Sequence, residues 1–294
     1  MIAATKRITI DSRPEPLAIE PARTAVIVVD MQNDFGSHGG MMALAGIDIS
    51  GNRAVIPATS RVLAAAREAG ILVVYLKMAF RADLSDAGAP DTPNWLKHLP
   101  LRAAEETTAP DGTASRILVR DTWNTDIVAE LQPEPPDVVL YKHRYSGFYE
   151  TDLDKVLRNR SINSLIFTGW TTSVCVESTV RDAMFRDYRC LVLEDCTAEP
   201  IGKGLSRSNH ETSLLAIQIL FGWISESAKF VAAVEKNDAI FGIVQANALR
   251  ERAKRDGVQC EQCAQSIDLA AGDFRLTGGL HGLPQRKLSK LRSK

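Results

Sequence analysis

The sequence lacks the features by which membrane-spanning, secreted and nucleic-acid-binding proteins are recognised. None of its apolar runs approaches the ~20 residues that a helix needs to cross a bilayer. The first residues, MIAATKRITIDSRPEP, contain no apolar core of a secretion signal, so we expect no export. Charge of neither sign prevails, since 35 Lys and Arg face 36 Asp and Glu. A nucleic acid or an anionic membrane surface is therefore not an expected partner.

Cysteine is also scarce. Five cysteines occur in 294 residues, an odd number in a chain long enough to stabilise itself by burial. A domain held together by disulfides is not indicated, and we expect reduced thiols in the cytoplasm. Cys260 and Cys263 form a CEQC motif, but a structural zinc site needs four ligands and only His281 follows the motif. We interpret it as incidental or as a weak oligomer contact.

The sequence does contain apolar strands that alternate with amphipathic helices. TAVIVVD (24–30) and ILVVYLK (71–77) are continuous apolar runs, typical of strands buried on both faces. The intervening AVIPATSRVLAAAREAG has apolar residues at helical spacing. The same alternation runs from DVVLYK (137–142) through SLIFTG (164–169) to CLVLED (190–195). This order predicts a three-layer α/β/α fold with a mostly parallel sheet.

Two segments interrupt the alternation. Residues 78–122 form a long connection rich in Pro, Gly and Asp, and connections of this length are often lids or binding loops. After residue 235 the alternation stops and a charged, helix-prone stretch follows. We therefore predict an N-terminal extension over 1–20, one main domain over 21–235, and a C-terminal extension over 236–294 with a flexible end.

An acid, an amine and a thiol follow three of the predicted strands. Asp30 ends the first strand, Lys142 ends the third, and the fourth leads through a short turn to Cys175. In an open parallel sheet ligands bind beyond these carboxyl ends. A thiol with a pKa near ~8.5 is mostly protonated at neutral pH and needs help to act as a nucleophile.

These residue types could together perform acyl transfer through a thioester. The helix that we expect to begin near Cys175, and the ammonium group of Lys142, would favour the thiolate. Asp30 could exchange the proton, and backbone N–H groups of the turn could bind an oxyanion. Each residue also has a simpler interpretation: a buried thiol, a turn-forming Asp and a solvated Lys. The pattern alone is consistent with a cysteine hydrolase and does not require one.

Four segments resemble the isochorismatase-like cysteine hydrolases: VIVVDMQNDF, YKHRYSGFYETDLDKVLR, FTGWTTSVCVESTVRDAMFRDY and LVLEDCTAE. The resemblance runs in order over about residues 20–235. It implies a six-stranded, mostly parallel sheet with helices on both faces and a homo-oligomer, dimeric or tetrameric. It also implies that Asp30, Lys142 and Cys175 form a catalytic triad.

The same resemblance implies further parts of the site. A cis peptide bond is expected between Trp170 and Thr171, with the oxyanion bound by the N–H groups of Thr171 and Cys175. Side chains expected to contact the substrate are Tyr145, Phe35, Trp170 and Phe80; core packing, or for the tyrosine a structural bond within its loop, is the alternative. Cationic side chains that could pair with a substrate carboxylate, or simply be solvated, are Arg81, Lys97 and Arg144.

The substrate class also follows from resemblance. The block KHRYSGFY (142–149) is similar to that of family members that hydrolyse ureidoacrylate, so an N-carbamoyl (ureide) substrate is predicted. Two features differ from such members: Ser173 stands where relatives commonly carry Asp or Asn, and MAF (78–80) makes the pocket wall more apolar. Hydrolysis of a bulkier or aromatic amide, or of a biuret-type substrate, is the alternative.

No metal and no cofactor are predicted. Nicotinamidases of the family bind a metal through an Asp-x-His arrangement, which none of the five histidines forms here. Hydrolysis of isochorismate itself does not use the cysteine, so the cysteine disfavours that activity. A non-catalytic protein that has kept the fold is a further alternative, disfavoured because all three triad residue types are present.

Overall fold

The computed structural model describes residues 7–202, 206 and 208–236. The predicted C-terminal extension, except its first residue, and the CEQC motif lie outside these residues. The described strands are β1 (Ile8–Ile10), β2 (Leu17–Ile19), β3 (Thr24–Val29), β4 (Leu72–Met78), β5 (Glu106–Thr108), β6 (Ala114–Arg116), β7 (Val138–Lys142), β8 (Ser164–Trp170), β9 (Arg189–Ala198) and β10 (Trp223–Ser225).

The helices lie mostly between the strands of the large sheet. The α-helices with defined bounds are α1 (Asn33–Gly36), α2 (Met41–Leu44), α3 (Ser50–Ala54), α4 (Ile56–Glu68), α5 (Pro93–His98), α6 (Leu153–Asn159), α7 (Glu177–Met184) and α8 (Asn209–Ala216). Residues 227–236 are also helical. Two π-helical turns precede α7 and follow α8, at Thr172–Val176 and Ile217–Phe221. Within the described ranges, no helix combines the length and the apolar character that crossing a membrane requires.

Six strands form one sheet in the order β10-β9-β8-β3-β4-β7. Every neighbouring pair in this sheet is parallel, which confirms the predicted fold class. β3 lies between β8 and β4, and all six of its residues are buried. Val29 is level with Leu76 on one side and with Gly169 on the other, so the carboxyl ends of the three central strands meet at one edge.

Alternate residues of β3 face two separate apolar layers. Val26 and Val28 belong to a core that includes Val62 and Leu63 of α4. Ala25, Ile27 and Val29 belong to a second core, which includes residues of α6 and α7. Full burial of each such side chain stabilises the fold by ~1.5–3 kcal/mol relative to exposure. The helices therefore cover both faces of the sheet, as the continuous apolar strands predicted.

Short elements in two segments were not predicted. The connection after β4 contains α5 and an antiparallel hairpin of β5 and β6. The predicted extension over 1–20 contains the antiparallel hairpin of β1 and β2. Its side chains Ile8, Ile10, Leu17 and Ile19 are buried in the first core. The alternation of such three-residue strands is too brief to distinguish from loop sequence.

Candidate active site

Asp30 and Lys142 form a buried ion pair at the carboxyl edge of the sheet. Asp30 follows β3 with a φ of 52°, and its backbone N–H donates to the Leu76 carbonyl oxygen at 2.9 Å. Lys142 ends β7, level with Met78 of β4. Its Nζ lies 2.7 Å from Asp30 Oδ2, and both side chains are 0% exposed. Because β4 separates β3 from β7, the two side chains meet across the end of that strand.

Cys175 lies next to this ion pair. The peptide bond between Trp170 and Thr171 is cis, as predicted, and the π-helical turn that follows carries the cysteine. Cys175 is 5% exposed, and its thiol lies within hydrogen-bond reach of both Asp30 and Lys142. The three residues singled out at separate strand ends thus lie next to one another.

Burial and charge act on these three groups in opposite directions. Burial raises the pKa of the Cys175 thiol above its ordinary 9.0, and the negative charge of Asp30 raises it further, while Lys142 lowers it. Burial also raises the pKa of Asp30, an effect that Lys142 partly offsets. Burial alone would lower the pKa of Lys142, but the charge of Asp30, a charge on Cys175 and hydrogen bonds to both together raise it above its ordinary 10.5. At rest the Cys175 thiol is therefore neutral and Lys142 is an ammonium group, beside the carboxyl group of Asp30.

This charge state differs from the expectation that Lys142 and a helix N-terminus would make the resting thiol a thiolate. The helical segment begins at Thr172, so Cys175 lies inside its first turn rather than before it. Moreover, the loss of hydration at a thiol that is 5% exposed opposes ionisation. A thiolate at Cys175 would therefore require transfer of the proton to a neighbouring base.

The backbone before Cys175 offers hydrogen-bond donors. In the described part of the chain, the N–H of Thr171 donates to no acceptor, and that of Cys175 donates to none outside its own helical turn. The N–H of Ser173, in contrast, donates to Glu199 Oε2 at 2.8 Å, and the Ser173 hydroxyl donates to the same oxygen. Thr172 Oγ1 lies 2.9 Å from His210 Nδ1. Neither Glu199 nor His210 was predicted to belong to the site.

Aromatic rings from three segments line one side of the site. The ring of Phe80, fully buried after β4, lies 5.7 Å from that of His98 and 6.4 Å from that of Trp95. His98 in turn lies 5.7 Å from the half-buried Tyr145. Burial raises the pKa of Tyr145, and a charge on Cys175 would raise it further. Tyr145 packs against the second apolar core, which includes Cys175. Phe80 and Tyr145, two of the predicted substrate contacts, are thus joined through His98.

His98 was not predicted as a site residue. Its Nδ1 lies 2.5 Å from the Asn94 carbonyl oxygen and must donate there, since a carbonyl only accepts. Burial lowers the pKa of His98, and the charges of Lys142 and Arg144 lower it further. The spacing of Trp95 and His98 by three residues in the segment PNWLKH was the signal that both lie on one face of a short helix.

Trp170 and Phe35, the other predicted substrate contacts, belong to the first apolar core. Trp170 is 0% exposed, and its ring packs so closely on Gly36 that a Cβ there would lie 2.2 Å from Cη2. These contacts of Trp170 are the ones expected for core packing, the alternative to a substrate contact. Across the described residues, His, Cys, Asp and Glu side chains nowhere gather in a group of three or more suited to a metal ion.

The three cationic candidates occupy different surroundings. Arg144 Nη1 donates to the carbonyl oxygens of Asp86 at 2.8 Å and His143 at 2.7 Å, and its guanidinium lies over the Tyr149 ring. The side chain of Arg81 is 60% exposed, and Lys97 is exposed. Of the three, only Arg144 is held in place beside the aromatic wall.

The chain is similar to known proteins over most of its length. Residues 24–229 match the model of the isochorismatase domain. A ureidoacrylate amidohydrolase, RutB, of Methylorubrum extorquens is 43% identical over 232 residues, which cover 79% of this chain and 91% of the relative. A cysteine hydrolase from Pseudomonas syringae pv. phaseolicola has a similar structure, with a TM-score of 0.62, 31% identity and coverage of 74% and 95%.

A second solved structure has a name that describes its substrate. The N-carbamoylsarcosine amidase from Thermoplasma acidophilum matches with a TM-score of 0.51 and 25% identity, over 70% of this chain and 96% of that one. The region that matches the isochorismatase domain includes the strand ends and the turn that carry Asp30, Lys142 and Cys175.

Proposed function

Since the chain belongs to the isochorismatase family, we propose that it is a cysteine-dependent amidohydrolase that cleaves a C–N bond of an N-carbamoyl substrate, ureidoacrylate or a close analogue. The observation that carries this proposal is the Cys175 thiol within reach of the buried Asp30–Lys142 pair. The 43% identity to a ureidoacrylate amidohydrolase supports the substrate class.

The first chemical step forms a bond between Cys175 Sγ and the ureide carbonyl carbon. The thiol proton passes to Asp30 as the sulfur attacks, because a buried carboxylate with a raised pKa is a stronger base than an exposed one. Lys142 then faces a neutral Asp30 and stabilises the negative charge on the reacting atoms. The carbonyl oxygen becomes an oxyanion bound by the N–H groups of Thr171 and Cys175, and each such donor contributes about 3–4 kcal/mol in comparable sites.

The second step breaks the C–N bond. Asp30 returns its proton to the leaving nitrogen, and the carbamoyl group stays on the sulfur as a thioester. With ureidoacrylate the leaving product is an aminoacrylate. Water then attacks the carbamoyl carbon, gives a proton to Asp30, and releases carbamate while the sulfur regains its proton. These steps use only side chains and backbone groups of this chain.

We propose that Tyr145, Phe80, Phe35 and Trp170 shape the pocket, with the Tyr145 hydroxyl bonding to the substrate. A second candidate function is hydrolysis of a bulkier or aromatic amide, or of a biuret-type substrate. It is supported by the contact of Phe80 with Trp95 and His98, which makes this wall aromatic. The two functions differ in how much apolar surface the acyl or amine part of the substrate presents.

A substrate panel with purified protein tests both candidates. We expect ureidoacrylate to be hydrolysed with a higher kcat/KM than biuret, N-carbamoyl amino acids or nicotinamide. The Cys175→Ala variant should lose more than about 10³-fold in kcat, since a nucleophile has been removed. A Cys175→Ala protein that retained wild-type turnover would refute the proposal, and preference for an aromatic amide would favour the second candidate.

We further propose that the enzyme acts in the cytoplasm as a homo-oligomer, a dimer or a tetramer, on a small molecule and without a nucleic-acid or membrane partner. Reduced thiols in Cys175, Cys190 and Cys196 support the location. Light scattering after size exclusion measures the mass in solution, and a monomer at all concentrations would refute the oligomer.

A further inference from the structure

Glu199 binds the turn that carries Cys175 from a distant segment of the chain. It follows the last residue of β9, and it lies 26 residues after Ser173. Its Oε2 accepts the Ser173 N–H at 2.8 Å and also accepts the Ser173 hydroxyl proton. Its Oε1 accepts the Ile201 N–H at 2.9 Å. A single carboxylate thus accepts three hydrogen bonds, two of them from the turn.

The position of Ser173 explains why a carboxylate is suited to this place. Ser173 is the second residue of the helical segment that begins at Thr172, so its N–H has no acceptor within the segment. A carboxylate near a helix N-terminus bonds such N–H groups and interacts favourably with the positive end of the helix dipole. Hydrogen bonds to an ionised acceptor are about twice as strong as neutral ones.

The other bonds of the turn are local or weaker. The N–H groups of Val174 and Val176 both donate to the Thr171 carbonyl oxygen, at 3.1 and 3.2 Å. Beyond the turn itself, Thr172 meets the neutral imidazole of His210, whose pKa burial lowers. The bonds to Glu199 are therefore the charged tether between the turn and the rest of the fold.

We propose that Glu199 is a positioning residue, which holds Ser173 so that Cys175 Sγ stays against Asp30 and the Thr171 N–H stays free for the oxyanion. The proposal depends on the proposed role of Cys175 as the nucleophile. Ser173 and Glu199 act as a matched pair of donor and ionised acceptor. A displacement of the sulfur by ~1 Å is enough to lower the rate about 10²-fold.

The test exchanges the partners of this pair. Glu199→Gln keeps the size of the side chain. The amide NH₂ group of the variant cannot accept a hydrogen bond, so the bond from the N–H of either Ser173 or Ile201 is lost. Ser173→Asp places a second carboxylate against Glu199 and repels it. In the double variant, Ser173→Asp with Glu199→Gln, the side-chain amide introduced at position 199 can donate to the new carboxylate and relieve the repulsion.

We expect Glu199→Gln to lower kcat in the wild-type protein and to raise kcat in the Ser173→Asp variant. With Ser173 it should lower kcat about tenfold, and with Asp at position 173 it should raise kcat relative to Ser173→Asp alone. KM should change less than about threefold, because the substrate-contacting side chains stay in place. The rate at which iodoacetamide alkylates Cys175 should follow kcat, while thermal unfolding monitors the fold. Glu194→Gln is the control, since Glu194 lies in β9 but pairs with Arg13 at 2.6 Å.

Each outcome separates this inference from the proposed function. Glu199 variants that match Glu194→Gln in kcat and in alkylation, while Cys175→Ala is inactive, would overturn the positioning role alone. The positioning role would also be overturned if Glu199→Gln did not raise kcat in the Ser173→Asp variant. If Cys175→Ala keeps its activity, the proposed function fails and the positioning role fails with it. Alkylation needs no substrate, so it reports the placement of the sulfur whatever ureide the enzyme uses.

Discussion

Single residues of the site owe their properties to the balance between lost hydration and neighbouring charge. The Asp30 side chain is 0% exposed, and its ionised form is stabilised there chiefly by Lys142 at 2.7 Å, with smaller contributions from Cys175 and the Met78 backbone. The same carboxylate opposes ionisation of the Cys175 thiol, which is already disfavoured by burial. In the proposed mechanism, transfer of the proton from sulfur to Asp30 removes the burial cost of the carboxylate and its repulsion of the thiolate, while Lys142 offsets the burial of the charged sulfur.

The pH dependence of activity follows from these directions. Burial raises the pKa of Asp30 above its ordinary 3.8, and only the ionised form can accept the thiol proton. As the pH falls through this raised pKa, we expect kcat/KM for ureidoacrylate to decrease. Above neutrality kcat/KM should stay level to about pH 9, because the thiol does not ionise by itself in this range. A tenfold rise per pH unit up to pH 9 would instead mean that a free thiolate is the reactive form.

Replacement of Asp30 by Asn should affect activity and thiol ionisation in opposite directions. The base is lost, so kcat should fall at least about 10²-fold. At the same time the charge that raises the pKa of Cys175 is removed while Lys142 remains, so the thiol should ionise at a lower pH than in the wild type. The pKa of the Cys175 thiol is measured by following thiolate absorbance against pH in Asp30→Asn and subtracting that of the double variant that also carries Cys175→Ser. A higher thiol pKa in Asp30→Asn would contradict the assigned charges.

The sequence located the residues at strand ends but missed residues whose place depends on contacts across the chain. Asp30, Lys142 and Cys175 follow apolar strands that could be located by composition, so their meeting at one edge could be expected. Glu199 lies in a loop, and its bond to Ser173 depends on where β9 ends relative to the turn. The spacing of Trp95 and His98 indicates one face of a short helix, but where that helix lies relative to the sheet depends on the fold of the long connection after β4.

Among the elements, β8 is the one that leads into the turn carrying Cys175, the proposed nucleophile. Gly169 near its end has a φ of 115°, and a Cβ there would lie 2.0 Å from the Val29 carbonyl oxygen of β3. The pairing of β8 with β9 also shifts register between Phe167 and Gly169. The absent side chain lets β8 lie close to β3 immediately before the turn, and the register shift changes the course of the chain there.

Gly169→Ala should therefore destabilise the protein strongly. We expect the free energy of unfolding to fall by about 3 kcal/mol or more, since strain at positive φ adds to a clash with backbone atoms. Gly46→Ala is the matched control, because Gly46 has a φ of 73° with nothing within 4 Å of the added Cβ. It should cost about 1–2 kcal/mol. Urea unfolding of both variants measures the difference, and equal costs would show that the contact with Val29 is unimportant.

The elements differ in how well their sequences indicated them. α4 was expected between the first two strands of the sheet, and its apolar spacing over 13 residues made this clear. The π-helical turn at Thr172–Val176 was read as the start of an ordinary helix, since one inserted residue leaves little trace in the spacing of apolar residues. Its identity depends on tertiary bonds such as that between Thr172 and His210.

Across the whole molecule, the N-terminal hairpin covers the edge of the sheet at β10. The backbone of Arg13 exchanges two hydrogen bonds with Ile224, at 2.8 and 3.0 Å. Arg189 Nη1 donates to the Ala18 carbonyl oxygen at 2.8 Å, and Ser225 Oγ donates to that of Asp11 at 2.6 Å. An edge strand left open would offer unpaired backbone groups to another chain.

Removal of residues 1–20 should therefore reduce stability and promote aggregation. The four buried aliphatic side chains of the hairpin would be lost, so we expect unfolding to become at least about 4 kcal/mol easier. Arg13→Ala is the control: its ion pair with Glu194 is 55% exposed on the arginine side, and its loss should cost no more than about 1 kcal/mol. Thermal unfolding and light scattering measure both effects. A truncated protein as stable as Arg13→Ala would show that the hairpin is dispensable.

The parallel architecture could be deduced from the sequence, because runs of apolar residues alternate with helices. The order of strands could not, since the apolar runs carry no information on which neighbours pair. The hairpin at the N-terminus, with strands of three residues, shows its importance only in the assembled core.

One consequence of the buried ion pair concerns the medium around the enzyme. Asp30, Lys142 and Cys175 have a formal charge of zero in sum both before and after the proton moves from sulfur to oxygen. The net charge of the three groups therefore stays the same during the proposed attack, so screening by dissolved ions should have little effect on this step. The chemical step should be indifferent to ionic strength, so the enzyme can work equally in dilute and in concentrated salt as long as the fold persists.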